Sequence, residues 1–121
     1  MDYGVRMTPK RSGDASFWIL TALANGRRHG YAIIKESTEL SGGVFQMKPT
    51  TLYSTLDKLE VDGLVALDGE DTVDGRHRTY FILTPAGHDE LVAEIEEMEA
   101  RARIARQRIE GRVVPKLGPA V

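Results

Sequence analysis

The chain contains no cysteine. Disulfides, thiolate metal sites and a cysteine nucleophile are excluded, and the composition fits a reducing, cytoplasmic setting. Aromatic residues are only 7% of the 121 residues, with a single tryptophan. No apolar run approaches the length that crosses a bilayer, and no signal-peptide core follows Met1-Asp2-Tyr3-Gly4-Val5-Arg6. Charge of one sign is also scarce. The net charge is −2 and the pI is near 5.9. A basic balance is the usual footprint of nucleic-acid binding, so the total counts mildly against it, and the placement of charge has to decide. There is no glycine-rich phosphate loop. His29, His77 and His88 are too scattered for a metal motif, and no nucleophile stands with a base and an orienter. An enzyme, a metal and a cofactor are therefore not expected.

What is present describes one globular domain with a core of its own. Apolar residues make up 41% and charged residues 28%, enough to bury a core without staples at this length. Residues 1–13 mix glycine, proline and serine with Arg6, Lys10 and Arg11, and read as a loose N-terminal arm. Asp14 or Ser16 is placed to cap a first helix, which Asn25-Gly26 stops. Phe17, Trp18, Ile19, Leu20 and Leu23 leave that helix almost no polar face. Such a helix needs burial on two sides, one in its own core and one against a partner subunit.

Arg27-Arg28-His29-Gly30 reads as a turn into a second helix that runs to Leu40 and ends at Ser41-Gly42-Gly43. Val44-Phe45-Gln46-Met47 alternates like a very short strand. A third helix opens on Pro49, where a missing N–H costs nothing, and closes at Gly63. Leu52, Leu56 and Leu59 share one face of it. Thr50, Thr51, Ser54, Thr55 and Lys58 point away, with Tyr53 between the two faces. Leu64–Leu67 reads as a strand, Gly69–Gly75 as an acidic, turn-rich tip, and Arg76–Leu83 as the returning strand of a hairpin. Thr84-Pro85 starts a long helix to about Glu110. Leu91, Ile95, Met98, Ala102, Ala105 and Ile109 form a heptad-like seam along it. Acidic residues crowd its first half and arginines its second, as the helix dipole favours. The domain expectation is an arm over 1–13, a winged helix-turn-helix over 14–84, a dimerisation helix over 85–110 and a tail over 111–121.

Helix, helix, tiny strand, helix, hairpin, long helix is the order of a winged helix-turn-helix, a mainly α fold with a small β-hairpin. In such folds the third helix presents its polar face to the DNA major groove and the hairpin lies over the neighbouring backbone or minor groove. Short hydroxyls near a helix N-terminus reach phosphates or base edges. Lys48, Thr50, Thr51, Ser54 and Lys58 are accordingly the candidate DNA contacts on the helix. Arg76 and Arg78 are those on the hairpin, ranked above His77 because alternation places the histidine on the other face. Tyr31 offers a hydroxyl to a phosphate with its ring in the core. For Tyr53, contact with the DNA backbone and packing on the second helix stand as equal readings. For all of these the plainer alternative is a solvated surface.

The pattern His29-Gly30-Tyr31, Pro49-Thr50-Thr51-Leu52-Tyr53, Leu56, Leu59-Glu60, Asp62-Gly63-Leu64-Val65, Gly75-Arg76-His77-Arg78-Thr79-Tyr80 and Leu83-Thr84-Pro85-Ala86-Gly87 resembles PadR-family transcriptional regulators of the short type. The resemblance covers roughly residues 14–110. Thr50 stands where that family more often has a small residue, frequently glycine. The resemblance implies a homodimer that binds a partly palindromic double-stranded operator, usually represses, and is often released by a small hydrophobic or aromatic effector. It implies dimerisation through the last helix against the partner's first helix. Phe17, Leu20, Leu91, Ile95, Met98, Ala102, Ala105 and Ile109 are the candidate interface. Phe17 and Trp18, with Ile95 and Met98 as neighbours, are the candidate effector site, against the alternative of ordinary dimer core. Two other readings remain at this point: a winged-helix protein-interaction module without DNA, and a multidrug-binding protein whose DNA role is secondary.

Overall fold

The computed structural model describes residues 14–111; the N-terminal arm and the C-terminal tail expected from the sequence lie outside the described residues. Helix α1 is seen over 14–23. Asp14 is already helical and Ser16 lies inside the helix, so neither is the cap that the sequence suggests. Ala15, Ile19, Leu20, Ala22 and Leu23 are buried. The helix ends where expected, at Asn25-Gly26, with the Gly26 N–H bonded to Leu23 O at 3.2 Å.

Strand β1, Arg28–His29, comes next. This corrects two expectations. The Arg27–Gly30 stretch is not only a turn, and the short strand is not at Val44–Met47. Pairing decides the matter. Arg28 and His29 lie antiparallel to Phe81 and Tyr80, so their backbone groups have partners. Among the described residues no strand pairs with residues 44–47; instead Phe45 is held by Ser41, whose Oγ accepts from Phe45 N at 3.0 Å.

Helix α2 spans Gly30–Leu40 and α3 spans Pro49–Val61. Both stop in the same way. After α2, Gly42 is at φ +67° and the Gly43 N–H reaches Thr38 O; after α3, Gly63 is at φ +77° and the Leu64 N–H reaches Leu59 O. These left-handed caps satisfy carbonyls that the helix leaves open. Leu52, Leu56 and Leu59 are buried as their shared face requires. Each fully buried leucine contributes roughly 1.5–3 kcal/mol relative to exposure. They join Ile19, Leu20, Leu23, Ile33, Met47, Val65, Phe81 and Leu91 in one core.

Strands β2, Val65–Val73, and β3, Arg76–Leu83, complete a three-stranded antiparallel sheet in the order β1-β3-β2. The hairpin is longer than the sequence suggests. Its turn is only Asp74-Gly75, both at positive φ (+52° and +77°), which matches the right-handed twist of the strands. Gly69 is not part of the tip. It sits at φ +97° in a bulge, where the pairing slips between Leu67 and Glu70.

Helix α4 spans Pro85–Gly111. Thr84 begins it as predicted: its Oγ1 accepts from Gly87 N at 3.0 Å and donates to Gly63 O at 2.6 Å. A Cβ on Gly87 would overlap the Leu64 carbonyl oxygen, so only glycine lets α4 approach the β2 entry this closely. The first compact unit runs through Leu91, and a second begins at Val92. Gly87 and Leu91 are buried, and Leu91 belongs to the core of the first unit.

Candidate nucleic-acid interface

Helix α3 offers its polar side freely. Lys48, Pro49, Thr50, Thr51, Ser54 and Lys58 are exposed and Thr55 is half-buried. Lys48 occupies the N-cap position, where its ammonium, a donor only, cannot cap the helix N–H groups and is exposed. Ser54 bonds within the helix, its Oγ donating to Thr51 O at 3.2 Å.

Tyr53 is 51% exposed and lies over the start of α2. Gly30 makes this approach possible: a Cβ there would overlap the Tyr53 hydroxyl and stand 3.2 Å from Leu52 Cδ2. The two readings of Tyr53 are thus compatible, since one edge packs on α2 and the rest faces solvent. Tyr31 departs from expectation. It is 71% exposed, so its ring is not in the core. Gly30, Ile33 and Ser37 take the inward face of α2, and residue 31 is turned away from that face.

A cleft of about 300 Å³ joins this region to the wing. It gathers Tyr31, Tyr53, Arg76, His77 and Arg78, all candidates from the sequence, and adds His29, Gly30 and Thr79. Lys48, Thr50, Thr51, Ser54 and Lys58 lie on α3 outside this cleft lining. Arg76 and His77 are exposed and Arg78 is half-buried. Acidic residues temper the wing. Asp71 pairs opposite Arg78, and His77 Nε2 is 3.4 Å from Glu70 Oε1.

His29 does not stand out as a contact in the sequence. It caps α2, its Nδ1 accepting from Ala32 N at 3.3 Å, and its ring meets Tyr80 edge-on at 5.6 Å. Burial, reinforced by the Arg78 charge and partly opposed by Asp71, holds its pKa below the ordinary 6.5. The neutral ring with a free Nδ1 is the form that caps. A position directly before Gly-Tyr at a helix start is the available signal, but histidine is not among the common capping residues.

The expected interface residues divide. Leu20 is 1% exposed and Leu91 8%, both inside the core of the first unit. Neither offers a partner much surface, which corrects their placement at a dimer interface. Phe17 is half-buried, while Ile95, Met98, Ala102, Ala105 and Ile109 are exposed. In the first unit, Phe17 and Trp18 pack edge-to-face at 5.0 Å, and Trp18 stacks on Phe45 at 6.5 Å. Ile95 and Met98 belong to the second unit. Among the described residues, no group of histidine or acidic side chains is arranged to hold a metal, and no helix is long and apolar enough to cross a membrane.

Three helices, a third-helix polar face and a two-stranded wing define the winged-helix class. The transcriptional regulator PadR-like family model matches residues 19–93, and the chain belongs to that family. Its members are transcriptional regulators rather than enzymes. A Mycobacterium tuberculosis protein named as a transcriptional regulator is 38% identical over 85 residues, covering 70% of this chain and 76% of that one. An uncharacterized 37.1 kDa protein from a Streptomyces fradiae transposon is 41% identical over 88 residues, 73% of this chain but only 24% of its own length. Bacillus subtilis PadR, solved in complex with operator DNA, superposes with a TM-score of 0.60 at 21% identity, covering 87% of this chain and 51% of that one.

Proposed function

We propose that this regulator is a homodimeric, sequence-specific DNA-binding protein that represses transcription and is released by a small hydrophobic or aromatic effector. The observation that carries DNA binding is the cleft between α2, α3 and the wing, where Tyr31, Tyr53, Arg76 and Arg78 converge beside the exposed Thr50, Thr51, Ser54 and Lys58. Hydroxyls and guanidinium groups on two sides of a groove suit a phosphate backbone, and the α3 face suits base edges. The net charge of −2 does not oppose this, because these cations are local. The fold shared with a PadR solved on operator DNA supports the same reading. In the dimer, each α3 enters a major groove about one DNA turn from its twin. The exposed seam Ile95, Met98, Ala102, Ala105 and Ile109 supports dimerisation through α4. Trp18, stacked on Phe45 and only half-buried, is the contact offered to an effector.

Fluorescence anisotropy against the DNA upstream of its own gene, with an unrelated duplex as control and a salt series on both, tests the reading. Binding at least about 10³-fold tighter to the upstream DNA, with a steep salt slope, is expected. Equally weak binding to every genomic fragment would refute it. Quenching of Trp18 by planar hydrophobic compounds tests the effector, and a flat titration across that class removes Trp18 from any such site.

A further inference from the structure

The wing leaves the sheet at a bulge, and one side chain holds that bulge. Pairing runs Leu67↔Phe81 and then Glu70↔Thr79, so Asp68 and Gly69 on β2 both stand opposite Tyr80 on β3. A bulge bends its strand and re-aims the residues beyond it. Arg27, just before β1, reaches across the central strand to this point. Its guanidinium carbon lies 3.9 Å from the centre of the Tyr80 ring. Its Nε is 2.9 Å from Asp68 Oδ2, and its Nη2 donates to the Asp68 backbone oxygen at 2.7 Å. Gly69 supplies the positive φ of the bulge, and a Cβ there would only touch Nη2, at 3.4 Å.

The near end is anchored as well. Arg28 Nη1 donates to Arg27 O at 2.8 Å, and Arg28 Nε donates to Glu36 of α2 at 2.7 Å. A polar path therefore runs from α2 through β1 to the bulge. Arg76 and Arg78 lie beyond the bulge on the hairpin.

We propose that Arg27 is a positioning residue. Its three contacts with Asp68 and Tyr80 fix the angle at which the wing leaves the sheet, and so fix where Arg76 and Arg78 stand relative to α3. An exposed ion pair alone stabilises little. Here the forked guanidinium bonds a carboxylate and a carbonyl of one residue while lying over a ring, which specifies direction rather than bulk stability. The inference rests on the DNA-binding reading above.

The sign of one substitution separates positioning from direct DNA contact. Asp68→Ala removes a negative charge and frees Arg27. If Arg27 simply met phosphate, binding would tighten. If Arg27 positions the wing, Asp68→Ala weakens operator binding, by roughly three- to tenfold. The salt slope falls by up to about 2, the equivalent of two lost phosphate contacts. Arg27→Ala does the same, and the double variant binds no more weakly than Arg27→Ala. Arg27→Lys keeps the charge without the fork and does not restore wild-type binding. Both side chains are about half exposed (45% and 46%), so these variants keep their core. Amide exchange of residues 70–79 in the free protein gives a readout independent of DNA, and each variant is expected to exchange faster there. Tighter binding by Asp68→Ala, an unchanged slope, or unchanged exchange overturns the proposal. A wild-type protein that distinguishes no DNA fails the proposed function instead, and the exchange data alone then decide whether the Arg27 latch exists.

Discussion

The stretch ending at Leu91 and the stretch beginning at Val92 treat their apolar residues in opposite ways. In the first, Ile19, Leu52 and Leu56 are 0–1% exposed, and the leucine stripe of α3 is used up within the chain. In the second, the seam residues Ile95, Met98 and Ile109 are 38%, 45% and 72% exposed, with Ala102 and Ala105 between them also exposed. The first unit buries enough to hold itself. Helices in proteins draw most of their stability from packing an apolar face, and residues 92–111 bury none of theirs fully. The same residue types at the same 3–4 spacing therefore make a core in one region and an uncovered stripe in the other.

Substitutions on the two sides sharpen this contrast. Leu56→Ala is expected to lower the stability of the first unit by about 2–5 kcal/mol, because the cavity adds to the lost burial. Denaturant unfolding followed by circular dichroism measures it, and a loss below about 1 kcal/mol would mean the site collapses freely. Met98→Glu acts only on the second side. In the proposed dimer it should raise the dissociation constant at least about tenfold while leaving unfolding of the first unit in place, since that reading would bury a charge in the interface. A dimer that persists in sedimentation velocity takes the α4 seam out of the interface.

Smaller effects probe how the first unit is closed. Thr84→Ala removes the α4 cap and the bond to Gly63 O, at an expected cost of about 1 kcal/mol. Thr84→Ser should recover most of it, and equal melting of the two variants would assign the loss to the methyl group instead. The smallest effect is a pH dependence from His29. Its folded pKa lies below the ordinary 6.5, through burial first and then Arg78. Below 6.5 the unfolded chain binds more protons than the folded one, so this contribution is complete above 6.5 and is lost as pH falls from there through the lowered folded value. His29→Asn keeps a capping side chain and does not titrate. It should flatten the stability profile as pH falls below 6.5 relative to wild type, and parallel profiles would acquit His29.

Local signals are legible wherever a single stretch decides its own geometry. Pro49 and Thr84-Pro85 mark helix starts, Gly42 and Gly63 mark helix ends, and the 3–4 spacing of Leu52, Leu56 and Leu59 marks the buried face. The order of elements is enough for the winged-helix class. The candidate site is legible in part. Arg76, Arg78, Tyr31 and Tyr53 stand out in the sequence and do share one cleft, whereas His29 and Arg27 look like ordinary turn residues until β1 is paired.

The helices, their glycine ends and the polarity of each face were legible from neighbours within about four residues. Long-range contacts settled the remainder. Whether Arg28-His29 or Val44–Met47 became a strand depended on which of them β3 could pair with. Whether Gly69 was a tip or a bulge depended on the register against Tyr80 on the opposite strand. Leu20 is 1% exposed because it joins Leu52, Leu56 and the other buried residues of the core, a placement that no local pattern shows. Pairing, register and burial are relations between distant segments, and no local pattern carries them.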